Sequence, residues 1–113
     1  MTKNKTELPQ YQAFDAKDRS KIIRIRRTDG THHAPANTYL LDVVSDGGKN
    51  QEIAIIYSFM VVKIRGRNLH HLQLAIEKRE CDFIQNYDPL MFAEPEPDET
   101  VIDDIEVVTR ECN

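Results

Sequence analysis

Four histidines and two cysteines are the residues of this 113-residue chain whose types suit metal or nucleophilic chemistry. The histidines form two adjacent pairs, His32-His33 and His70-His71, and Cys81-Asp82 follows the second pair. Zinc sites draw on His and Cys at set spacings, but the chain contains no CxxC, HxH or HExxH. Neighbouring residues on a helix point about 100° apart, so His70 and His71 are poorly placed to chelate one ion. No metal site is expected. Nucleophilic hydrolysis is no better served. There is no GxSxG, and Ser20, Ser45 and Ser58 lack a His and acid context. Cys81 falls between a helix and a strand, where a cysteine is usually a small core residue. Asp103-Asp104 lies in a polar, solvated stretch, and Asp46-Gly47-Gly48 is turn chemistry rather than a phosphate-binding GxGxxG or GxxxxGK(S/T) loop. No catalytic residues and no cofactor are therefore expected.

The basic residues have more to offer. Arg24 and Arg26 face outward from one strand, and Lys63 and Arg65 share a face of another. Arg67 and Asn68 follow at a helix start, where free backbone amides and the helix dipole favour an anion. This set, Arg24, Arg26, Arg65, Arg67 and Asn68, is the candidate site for a phosphate, a carboxylate or an acidic peptide. Stacking of RNA bases would need interleaved aromatics, and only Tyr39, Tyr57 and Phe59 are available. The charge is also asymmetric. Residues 1–27 hold eight Lys/Arg against three acids, while residues 80–113 hold eleven acids against one Arg, within a net charge of −4. Such asymmetry marks an interaction tail, a solvating tail or an intramolecular clamp. An acidic chain overall argues against strong non-specific nucleic-acid binding.

These side chains need elements to hold them. A chain of this length is one domain with one modest core. Residues 1–20 read as a flexible polar arm, with Leu8, Tyr11 and Phe14 spaced to dock a single turn. Residues 21–89 read as the domain. Lys21–Thr28 alternates Ile23 and Ile25 with Arg24 and Arg26, the period of a strand with one wet face. Strands are expected at Thr38–Ser45, Glu52–Tyr57 and Met60–Arg65, joined by a hairpin at residues 46–50 and a turn at Ser58-Phe59. A helix capped by Asn68 presents Leu69, Leu72, Ala75 and Ile76 as one stripe, and Cys81–Asn86 follows as a fifth strand with Phe83 as its core residue. Residues 90–100 are an acidic, Pro-rich linker. Residues 101–113 contain a further β-prone segment, in which Val101, Ile102, Ile105 and Val107 are the candidates for self-association by strand addition.

The run Ile64-Arg65-Gly66-Arg67-Asn68-Leu69, between a strand and a helix and followed by a strand of the form FIQxxDP, resembles that of small uncharacterised bacterial proteins. The resemblance covers about Thr38–Pro89 and implies a fold rather than an activity. Ile64-Arg65-Gly66 is also similar to the second signature box of Sm-like RNA-binding proteins, which would place Arg65 and Gly66 at an RNA site. Two departures accompany that similarity: the helix follows the box rather than preceding the strands, and the Asp and Asn of the first box have no match within residues 28–44.

The expectation is an α+β fold: an antiparallel meander of four or five strands, curved or barrel-like, with one helix packed on it. Without an apolar leader or an 18-residue apolar run, and with two cysteines too few for a disulfide framework, a cytoplasmic protein with reduced thiols and no membrane partner is expected. Its leading functional reading is a non-enzymatic binding and assembly module. It would dock an acidic ligand or peptide and form a homodimer through residues 101–113. An Sm-like nucleic-acid binder and an enzyme of unrecognised type are the alternatives.

Overall fold

The computed structural model describes residues 8–46, 49 and 51–109. Along the chain run β1 (Phe14–Ala16), β2 (Arg24–Arg26), β3 (His32–His33), β4 (Leu40–Ser45), β5 (Glu52–Tyr57), β6 (Met60–Arg67), α1 (His70–Glu77), β7 (Cys81–Gln85) and β8 (Val101–Thr109). The fold is mostly β with one helix. Its strands form two four-stranded sheets, ordered β1-β7-β2-β3 and β4-β5-β6-β8.

The second sheet contains the expected meander. Ile53, Ile55 and Tyr57 of β5 and Met60, Val62 and Ile64 of β6 are buried at every second position, as a sheet with one covered face requires. Tyr57-Ser58-Phe59-Met60 turns the chain between them, and Ile55 opposes Val62 in the antiparallel ladder. β8 pairs antiparallel with β6 along almost its whole length, from Met60 opposite Thr109 to Arg67 opposite Val101. Gly66 makes that approach possible. A Cβ at this position would lie 1.9 Å from the Val101 carbonyl oxygen, so only glycine lets β8 come this close.

The first sheet corrects the expectation of a single meander of four or five strands. β2, expected as its first strand, belongs to a separate sheet, where it lies parallel to β7 with Ile25 opposite Ile84. β7 in turn is flanked by β1. Among the described residues the sheets have open edges and do not close into a barrel. Local periodicity cannot reveal these pairings, because they join residues about 60 apart in the chain. Residues from both sheets and from α1 share one buried cluster, including Ile23, Ile25, Ile55, Val62, Leu72, Ile76, Ile84 and Ile102. A helix of this length is marginal in isolation, and burial of Leu72, Ala75 and Ile76 between the sheets stabilises it.

Two segments outside the expected domain are built into this core. Residues 8–20, read as part of a polar arm, contain β1 and the buried Tyr11. The Tyr11 hydroxyl donates to the Gln85 carbonyl and accepts from the Ile102 N–H at 3.1 Å, tying the first sheet to β8. The acidic linker is tied too. The Ala93 N–H donates to the Pro9 carbonyl at 2.9 Å, and the Thr100 hydroxyl donates to the Asn68 carbonyl at 2.6 Å. Cys112 and the hairpin residues Gly47, Gly48 and Asn50 lie outside the described residues.

Candidate functional site

The five basic-set residues are divided between the two sheets, Arg24 and Arg26 on β2 and Arg65, Arg67 and Asn68 on or just after β6. Each of four is engaged within the chain. Arg24 pairs with Asp82 at 3.1 Å on the neighbouring strand. The Arg26 guanidinium lies 4.3 Å over the Phe83 ring, a cation–π contact. Phe83 is buried as expected, 9% exposed with Arg26 over its ring, while Ile84 and Cys81 are the β7 residues in the main core cluster. Arg65 reaches Glu52 at 3.6 Å, and both side chains are well exposed.

Asn68 differs most from its expected role. It does not cap the helix, because α1 has Leu69 at its N-cap position and no side-chain cap bond. Instead Asn68 adopts the left-handed conformation at φ 55°, which Asn tolerates better than most residues. Its Nδ2 donates to the Pro97 and Glu99 carbonyls at 3.1 and 3.0 Å. The acidic stretch is thus a ligand of this part of the surface within the same chain. In the β6–β8 ladder Arg65 faces Asp104 and Lys63 faces Glu106, an arrangement of opposite charges that favours this strand pairing. Arg67 stands beside a depression of about 370 Å³ shared with Tyr87, Glu94 and Asp103.

The residues proposed for self-association point inward. Val101, Ile102 and Ile105 are buried in their own chain and Val107 is half-buried. Val101, Ile102 and Ile105 are covered by the core of their own chain, and Val108 is exposed. The outer face of β8 presents Asp104 and Glu106.

Cys81 is fully buried, and its Sγ–H donates to the Phe83 carbonyl at 3.3 Å. Burial above all, with the charges of Asp82 and Asp15, pushes its thiol up to about 12. At neutral pH it is a packed thiol rather than a nucleophile. The two histidine pairs lie on different elements, His32-His33 on β3 and His70-His71 at the start of α1. Among the described residues, no group of three His, Cys, Asp or Glu side chains is placed to hold a metal ion. No helix among them is long and apolar enough to cross a membrane.

The feature that sequence reasoning missed is the free edge of the second sheet at β4. Leu41 is 66% exposed and Val44 46% exposed, and Tyr39 and Phe59 stand beside them, also exposed and in edge-to-face contact. A groove of about 250 Å³ runs along this edge, between Leu40, Leu41, Asp42 and Val43 on one side and Glu77 and Arg79 at the end of α1 on the other. The edge is partly occupied by its own side chains. The Val43 N–H donates to the Asp42 carboxylate at 2.8 Å, and the Arg79 guanidinium donates to the Leu40 carbonyl at 3.4 Å. Since the Val43 amide turns to Asp42 rather than to β5, it faces the free edge. One signal was present in the sequence. The Leu40-Leu41 doublet breaks the alternation of β4, and the ladder with β5 slips there between Leu40 and Asp42, leaving Leu41 outside the core.

No family model matches the chain, and no curated protein or solved structure matches it either.

Proposed function

We propose that the protein is a non-enzymatic binding and assembly module whose recognition element is the open edge of β4. The observation that carries this reading is the coincidence of an edge strand, a groove and exposed apolar side chains at Tyr39, Leu41, Val44 and Phe59. An edge strand offers main-chain donors and acceptors to an incoming strand, and flanking pockets select its side chains. Exposed single hydrophobics are ordinary on protein surfaces, but here Leu41 and Val44 stand on the unpaired strand itself and the Tyr39–Phe59 pair stands at its start. The arginine set supports this reading less well, because Arg24, Arg26 and Arg65 are already matched by Asp82, Phe83 and Glu52. Residues 101–109 serve assembly of the domain itself.

The test is amide mapping by nuclear magnetic resonance on the isotope-labelled chain. Unlabelled protein and a synthetic extended peptide of alternating Val and Thr are titrated in separately. Shifts concentrated at residues 39–45 and at Phe59 and Arg79 are expected for at least one of the two probes. Shifts confined to β2, β8 or Arg67 would send the site back to the basic or acidic surfaces.

A further inference from the structure

We infer that the strand received by β4 is β4 of a second copy, running antiparallel about a two-fold axis at Val43, with Asp42 as the group that must let go. This rests on the reading of β4 as the recognition edge and names its occupant.

Self-complementarity about the middle of the strand distinguishes this edge from the one at β8. With Val43 opposite Val43 of the second copy, Asp42 falls opposite Val44 and Leu41 opposite Ser45. The strand carries one acid, and this register sets it against an apolar neighbour rather than against itself. Leu40 and Asp46 then lie opposite one another. Arg79, bonded to the Leu40 carbonyl, is thereby brought to the end of the strand where the second copy holds Asp46. That match occurs twice by symmetry. Most registers of the same operation on β8 are unfavourable. A two-fold at Ile105 sets Asp104 against Glu106 twice, and a two-fold at Asp104 or Glu106 sets each acid against itself; only one at Val107, at the end of the strand, sets Glu106 against Val108. Like charges directly opposed across strands destabilise the pair. A central register is therefore open to β4 and closed to β8.

Asp42 supplies the removable protection. Its carboxylate accepts from the Val43 N–H at 2.8 Å, so the central outward amide is satisfied in the separate chain. In the pair, that amide donates to the Val43 carbonyl of the second copy, and Asp42 is released to the outer face beside Val44 of that copy. The product is one continuous eight-stranded sheet with β8 at both ends, where its acids discourage further growth.

Substitutions at Val44, which is exposed and outside the core cluster, test the register without touching the fold. Val44→Lys faces Asp42 of the second copy twice and tightens the dimer about 2- to 30-fold. Val44→Asp creates two acid pairs and weakens it by at least as much. Both are read by light scattering across a concentration series, alongside circular dichroism to confirm folding. Opposite effects of Lys and Asp support the proposal. Equal weakening by both overturns this register while leaving β4 as the edge. A chain that stays monomeric at millimolar concentration, yet whose β4 amides shift with the Val/Thr peptide, overturns the second copy but keeps β4 as a docking strand. Unmoved β4 amides with either probe overturn both. A second variant, Asp42→Thr, removes the carboxylate from the Val43 N–H and is expected to strengthen association. Loss of association in Asp42→Thr would overturn the gating role.

Discussion

Gly66→Ala is the sharpest test of how the C-terminal strand is held. The added methyl would lie 1.9 Å from the Val101 carbonyl oxygen and about 3 Å from its carbon and from the Ile102 Cα, all backbone atoms that cannot rotate away. Ordinary contact begins near 3.4 Å, so β8 must retreat by about 1.5 Å at this point. Two responses are open to it. If the strand stays paired and strained, overpacking costs about 1–3 kcal/mol. If its first residues lift off, Val101 and Ile102 lose their burial, at about 1.5–3 kcal/mol each. The expected loss is therefore roughly 2–5 kcal/mol, read as a lowered urea midpoint with the slope unchanged, or a fall in Tm of at least about 8 °C. Gly30→Ala is the internal comparison. Gly30 has φ 88° but nothing within 4 Å of an added Cβ, so its cost is conformational only, about 1–2 kcal/mol. A Gly66→Ala protein within about 0.5 kcal/mol of the parent, or less perturbed than Gly30→Ala, would refute the account of β8 packing.

Two further outcomes follow from buried polar groups. Tyr11→Phe removes the hydroxyl that serves both Gln85 and Ile102, leaving a carbonyl and an amide without their partner at a cost of about 1–3 kcal/mol, measured by chemical denaturation. Cys81 sets an alkaline limit. Its thiol keeps its proton up to about pH 12 in the folded chain, whereas an unfolded thiol releases it near pH 9. Between those values the unfolded state binds fewer protons, so stability falls as pH rises, by about 1.4 kcal/mol per pH unit from this group. Urea midpoints measured from pH 8 to 10, below the range in which the buried Tyr11 and Tyr57 add a slope of the same sign, should show that slope in a Cys112→Ser background, and Cys81→Ala should flatten it. An unchanged slope in Cys81→Ala would show that another group is responsible.

The parts of this fold legible in the sequence are those where one residue's neighbours decide its environment. β-propensity alone marked β8, while alternation marked β5 and β6 because one face of each is covered and the other wet. The 3.6-residue stripe of Leu69, Leu72 and Ile76 marked α1 for the same reason. Long-range choices left no such trace. Nothing in FDA or RIR says that β7 will lie between them, or that its neighbour will be parallel. Tyr11 looked able to dock one helical turn with Leu8 and Phe14, but its segment leads into a strand, and its hydroxyl bonds to Gln85 and Ile102 are too distant in the chain to leave a local pattern. Phe83 is buried as its hydrophobicity suggests, but nothing in the sequence shows that the guanidinium of Arg26 supplies part of its cover. Asn68 fits the residue preference of a cap, but a left-handed backbone turns it toward the linker carbonyls. The β4 edge was missed because an unpaired strand and a paired one have the same pattern of apolar residues.

The pairing of β8 with β6 also sets an order of events on the ribosome. The β4–β5–β6 meander and α1 emerge well before residues 101–109, so β6 spends part of synthesis as an unpaired edge carrying Met60, Val62 and Ile64. Non-local closure of this kind is slow relative to hairpin formation, and an exposed strand edge is where nascent chains associate wrongly. Every prematurely terminated product lacking the last strand would display that same edge permanently. The core is thus complete only once residues 101–109 have docked on β6, and its last-made strand is also the one that closes it.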